Sequence, residues 1–218
     1  KGQSVEDQST IDRMLCELDG TAAKSYLGAN AILGVSLAAA QARALSMGEE
    51  LFRAIAPEGI SPTLPVPLVN VLNGGAHANN NIDIQEFMLV PHGAPTFSEG
   101  IRYVTETFHA LGDLLKGDGY STAVGDEGGY APRLESTDAA FDLLLRAIER
   151  AGYKPGEQIS LALDVAASEL FVEREEGNAY VFAKSSGDEY SAAALVEYYK
   201  KLCNQFPIVS IEDGLDEN

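Results

Sequence analysis

Acidic residues recur at the C-terminal ends of apolar runs that read as strands, the run before Glu127 included. Asp164 sits inside Leu161-Ala162-Leu163-Asp164-Val165, Glu212 and Asp213 follow Ile208-Val209-Ser210-Ile211, and Glu127 follows Thr122-Ala123-Val124-Gly125-Asp126. In parallel α/β folds the C-terminal ends of the strands converge on the active site. Carboxylates buried there are costly unless a cation pairs with them. Oxygen ligands from well-separated strands suit Mg2+, a hard ion. The same spacing also fits ordinary loop acids that reach solvent.

A second candidate is Asn73-Gly74-Gly75-Ala76-His77-Ala78-Asn79-Asn80-Asn81. Adjacent glycines open backbone conformations closed to other residues, and a loop histidine can meet a phosphate or a proton near neutral pH. A histidine in such a loop can equally be merely exposed. Glu127 lies in Gly125-Asp126-Glu127-Gly128-Gly129, where the glycines imply a tight turn that holds a carboxylate in place. His92, after a proline, and His109, within a helical stretch, read as surface or packing residues.

The elements that would position these groups alternate along the chain. Ser9 or Thr10 could cap a helix bearing Ile11, Met14, Leu15 and Leu18, closed by Asp19-Gly20. A long Ala-rich helix over 31–47 ends at Gly48, and its broad apolar face should be packed on both sides. Pro57, Gly59, Pro62, Pro65 and Pro67 rule out helix next and mark a domain boundary near Thr63. Strands are expected over 66–72, 86–90, 159–165 and 208–211, with a small hairpin near 180–183. Between them run a helix capped by Ser98, one capped by Ser136 or Thr137, and one opened by Ser191. Long helices between strands imply crossovers and parallel pairing, hence an α/β barrel or an open doubly wound sheet. No Gly-rich dinucleotide or P-loop fingerprint follows a strand.

The bulk composition is that of a globular protein: 218 residues, 45% hydrophobic and 22% charged. Its net charge of -18 repels phosphate backbones and anionic lipid, which argues against direct nucleic-acid or membrane binding. An anionic metabolite can still bind where a metal supplies positive charge. Cys16 and Cys203 read as buried thiols in a reducing compartment. The uncharged stretch 25–42 is diluted by polar residues and reads as a buried helix, not a membrane span. No signal peptide is expected.

Taken together, the motifs resemble the enolase family. The segments are Glu17-Leu18-Asp19-Gly20-Thr21, Gly28-Ala29-Asn30-Ala31-Ile32-Leu33, Leu64-Pro65-Val66-Pro67 and Asn70-Val71-Leu72-Asn73-Gly74-Gly75. Asp83-Ile84-Gln85-Glu86-Phe87-Met88, Gly125-Asp126-Glu127-Gly128-Gly129, Asp164-Val165-Ala166-Ala167-Ser168-Glu169 and Ser210-Ile211-Glu212-Asp213-Gly214 complete the set. They span essentially the whole chain in family order, and their details look bacterial.

The resemblance implies an α/β fold: a partial TIM-type (enolase-like) barrel over 63–218, preceded over 1–62 by a helical remnant of an α+β N-terminal domain. It implies a phosphopyruvate hydratase, a glycolytic lyase that reversibly dehydrates 2-phosphoglycerate to phosphoenolpyruvate. In that superfamily one or two Mg2+ ions are known to stabilise the ene-diolate. By resemblance Asp164 and Glu212 ligate Mg2+, and Glu127 protonates the departing hydroxyl, its pKa raised by Glu86. His77, on a mobile loop, together with Gln85, Glu86 and Glu212, contacts substrate. A cytoplasmic homo-oligomer, dimer or octamer, is implied, with surface or secreted forms known in the family. The lysine base, the third metal carboxylate and the phosphate clamp have no counterpart here. A TIM-type barrel takes about 250 residues and the chain supplies only positions 63–218 of one, so with these parts missing the 218 residues alone are expected to be inactive. The alternatives are a non-catalytic folded piece acting as a binding surface, and a superfamily lyase or racemase acting on another carboxylate.

Overall fold

The computed structural model describes residues 2–175 and 177–218. The chain forms two compact units, Lys1–Leu64 and Pro65–Asn218.

The first unit holds three helices: α1 (Gln8–Asp19), α2 (Ala29–Met47) and α3 (Leu51–Ala54). The Asp7 carboxylate, not Ser9 or Thr10, caps α1 by accepting from the Thr10 amide, which satisfies an otherwise orphaned N–H. Asp19 then accepts from the amides of Tyr26 and Leu27 at 3.1 and 2.7 Å. The expectation that α2 is packed on both sides fails. Leu33, Val35, Leu37, Leu45 and Met47 are exposed, and only Ala44 of this helix is buried. Within its unit α2 packs on α1 and α3 alone, too little surface to cover a helix that is apolar on nearly every side. Cys16 is exposed, and so is Cys203 in the second unit. Both were expected to be buried.

The second unit is built on strands β1 (Val69–Asn73), β2 (Glu86–Val90), β3 (Ser160–Asp164) and, last in the chain, β7 (Ile208–Glu212). They form a four-stranded sheet in the order β1-β2-β3-β7. Helices α4 (Phe97–Gly117) and α5 (Thr137–Arg150) connect β2 to β3, and α6 (Ala192–Gln205) leads into β7. A small sheet of β4 (Phe171–Val172), β5 (Ala179–Val181) and β6 (Glu189–Tyr190) lies between β3 and α6.

Within the four-stranded sheet β3 and β7 pair in parallel, while β1-β2 and β2-β3 are antiparallel. One helix between two strands returns the chain to its starting end, so β3-α6-β7 is parallel. Two successive helices, α4 and α5, carry it back once more, and β3 therefore runs against β2. The sheet does not close on itself, consistent with a partial barrel.

Thr96 caps α4 through the Glu99 amide at 3.2 Å, two residues ahead of the expected Ser98. Ser136 and Ser191 cap α5 and α6 as expected. The helices cover one sheet face. Phe87 and Leu89 of β2 enter a core with Leu111, Leu115, Phe141 and Leu144, and the Phe87 and Phe141 rings meet edge to face at 5.2 Å. Met88, Val90 and Ala162 form a second buried cluster. Side chains alternate along a strand, so Glu86 shares the Met88/Val90 face and Asp164 shares the Ala162 face, away from the helices.

Candidate active site

The register aligns the acids. Asn73 pairs with Glu86, Glu86 with Asp164, and Asp164 with Glu212, one row across all four strands. Residues paired across neighbouring strands project to the same face. The row therefore sets Glu86, Asp164 and Glu212 side by side at one end of the sheet. Gln85 joins them by donating from Nε2 to Asp164 Oδ2 at 3.3 Å. Asp164 Oδ1 accepts the Ala166 amide at 3.0 Å, which fixes that carboxylate. Ala166 itself has a left-handed backbone, φ 48°, rare for a residue with a Cβ.

Glu127 arrives from a loop. The strand expected before it is absent: Val124 and Tyr130 make only isolated bridges, with each other and from Tyr130 to Leu72. The turn closes with the Gly125 amide donating to the Gly129 carbonyl at 2.8 Å. It lies hard against β1. A Cβ on Gly125 would sit 2.7 Å from the His77 carbonyl oxygen and 3.0 Å from Asn73 Cβ, and one on Gly129 would sit 2.9 Å from the Leu72 nitrogen. Glycine is required here for close approach as much as for turn geometry.

His77 ends a short 3-10 turn, Gly75–His77, in the connection from β1 to β2. Its Nδ1 lies 3.8 Å from Glu86 Oε1 and 3.7 Å from Glu127 Oε2. Single ligand atoms of His77, Glu86 and Glu127 fall within 4.8 Å of one another. Burial pushes the Glu86 carboxyl up to about 8, assisted by its hydrogen bond with Glu127 and by the negative charges of Glu127, Asp164 and Glu212. Glu86 sits on the sheet with its side chain 13% exposed, whereas that of Glu127 is 47% exposed, so Glu86 suffers the larger desolvation. The pair can thus hold one proton between two carboxylates.

The structure brings together His77, Gln85, Glu86, Glu127, Asp164 and Glu212. His92 bonds Ser160 Oγ at 2.8 Å and His109 is exposed on α4; neither joins the site. Sequence reasoning overlooked Lys184 and assigned no role to Asn80 within the second candidate segment. Asn80 is buried and donates to the carbonyls of Asn73 and Pro132 at 2.9 and 3.0 Å. Lys184 donates to the carbonyls of Gly75 and Ala78. Their partners lie up to 109 positions away, and no local pattern could reveal them.

The donor set suits a hard divalent cation. Asp164 and Glu212 offer carboxylate oxygens from adjacent strands, and among the described residues neither has a cationic side chain within ion-pair distance. Adjacent unpaired carboxylates favour a bound cation.

Residues 61–218 match the family model described as Enolase, C-terminal TIM barrel domain, and residues 1–55 match Enolase, N-terminal domain. The chain belongs to the enolase family. Similar relatives include the proteins named Enolase from Legionella pneumophila strains Corby and Paris. Each is 54% identical over 217 residues, covering 100% of this chain and 50% of the relative. The chain thus spans about half the length of the curated relatives it matches. Among the described residues no helix is long and apolar enough to cross a membrane.

Proposed function

We propose that these residues form the acid and metal side of an enolase active site, acting in a longer protein that dehydrates 2-phosphoglycerate to phosphoenolpyruvate. The observation that carries this reading is the row Glu86, Asp164, Glu212, with Glu127 and His77 brought onto Glu86 from two separate loops.

The reaction removes a proton α to a carboxylate and expels a β-hydroxyl. Glu127, the more exposed of the paired acids, is the proton donor to the departing hydroxyl oxygen. Glu86 is the inner partner that retains a proton beside it, and general-acid help of this kind contributes about 10²–10⁴-fold. His77 and Gln85 face the substrate, with Glu86 and Glu212 completing the contact surface. Asp164 and Glu212 are the carboxylates that would hold Mg2+, whose bound charge would stabilise the doubly ionised carboxylate of the intermediate. Closure of the His77 loop would exclude water from the site. The whole protein is read as a cytoplasmic homo-oligomer without direct nucleic-acid or membrane partners.

The test is absorbance of phosphoenolpyruvate formed by the full-length protein. Mg2+-dependent turnover is expected, with a loss of about 10²-fold or more in Glu127→Gln and a weakened Mg2+ requirement curve in Asp164→Asn. Turnover that is untouched by Glu127→Gln would refute the assignment of the acid.

A further inference from the structure

Lys184 lies in the turn between β5 and β6, on the small sheet that precedes α6. Its Nζ donates to the Gly75 carbonyl and, at 2.6 Å, to the Ala78 carbonyl. These carbonyls flank His77. The same turn grips the far end of the β1–β2 connection. The Lys184 amide donates to Asp83 Oδ1 at 2.8 Å, and Ser185 Oγ donates to Asp83 Oδ2. Asp83 is 1% exposed, so its contacts are sheltered from competing water. Among the described residues no carboxylate lies within ion-pair distance of the Lys184 ammonium. Its charge is therefore directed at backbone carbonyls, an arrangement that orders a loop instead of pairing a charge. Burial lowers the Lys184 pKa, with Asp83 opposing that shift, as expected for an ammonium enclosed by a loop. On its other side the His77 carbonyl accepts the Asp126 amide at 3.3 Å. His77 is thus held between the Lys184 turn and the loop that carries Glu127.

We propose that Lys184 is a positioning residue that clamps the His77 loop, through the Gly75 and Ala78 carbonyls, so that His77 stands over the Glu86–Glu127 pair. The clamp rests on geometry alone; its effect on turnover rests on the enolase reading. Lys184 has no role at the reacting atoms. It acts through the loop and makes the β5–β6 turn and the β1–β2 connection move as one piece.

The experiment compares Lys184→Met and Lys184→Arg with wild type in the full-length protein, by amide hydrogen exchange over residues 74–85 and by steady-state kinetics. A charge-assisted hydrogen bond is worth about tenfold or more in a local equilibrium. Lys184→Met should exchange about tenfold faster over 74–80 and leave β2, β3 and the melting temperature unchanged. Its kcat/KM should fall by about tenfold, and Lys184→Arg, which keeps the donors, should recover most of both losses. Unaltered loop exchange in Lys184→Met overturns the clamp. Faster exchange with unchanged kcat/KM overturns the positioning role. Equal loosening of β2 and β3 overturns it too, since that marks general destabilisation. A wild-type protein without turnover overturns the enolase reading, and the exchange result still decides the clamp.

Discussion

Glu86 shows how a single carboxyl couples site chemistry to stability. Folded, it is pushed up to about 8; its ordinary value is 4.5. Between those values the folded chain binds more protons than the unfolded chain, so this residue stabilises the fold most at low pH. Its contribution falls as pH rises from about 4.5 through about 8. Melting of metal-free protein in chelator should therefore decline across this window, and Glu86→Gln should flatten the decline. Parallel profiles for the two proteins would show that Glu86 is not the group responsible. Asp164, Glu212 and Glu127 were legible in the sequence because each closes or follows an apolar run, whereas Glu86, which opens β2, entered only through the family resemblance. The sharing of the proton was not legible, because desolvation of Glu86 follows from its seat on the sheet.

At the scale of elements, the loop 125–129 depends on contact with β1. Gly125→Ala would place a methyl group 2.7 Å from the His77 carbonyl and 3.0 Å from Asn73 Cβ. Since β1 is hydrogen-bonded to β2 and cannot easily retreat, the loop must move instead. The expected cost is about 1–3 kcal/mol of stability, with a fall in kcat that exceeds any rise in KM because Glu127 leaves Glu86. Thermal melting and steady-state kinetics of the full-length variant check this, and wild-type values for both would contradict it. The helices α4, α5 and α6 were readable from their 3.6-residue periodicity and caps. Strand direction was not: α4 and α5 were each read as a crossover, whereas together they reverse β3. The expected strand before Glu127 failed because residues there bond across a glycine turn instead of along a neighbouring strand.

At the scale of the whole molecule, the four-stranded sheet ends at β1, whose outer side is partly paired by Tyr130, and at β7, and an exposed edge such as that of β7 invites association. Among the described residues, no cationic side chain forms an ion pair with Asp164 or Glu212. The 218 residues produced alone should form no phosphoenolpyruvate above background at any Mg2+ concentration. Mg2+-dependent turnover by that chain would show that the catalytic set is complete without further residues.

The sequence by itself determined the family, the helices and the acids proposed to carry the chemistry, because these depend on residue types at short spacing. It also placed Glu127 and His77 on glycine-rich loops, since such loops announce themselves locally. Tertiary structure alone decided which strands are antiparallel, which acid of the Glu86–Glu127 pair is desolvated, and that Lys184 reaches the His77 loop. It decided as well that α2, apolar on most sides, meets only α1 and α3 within its unit. Each of these depends on what lies across space from a residue, and burial, register and charge proximity arise only once distant segments meet.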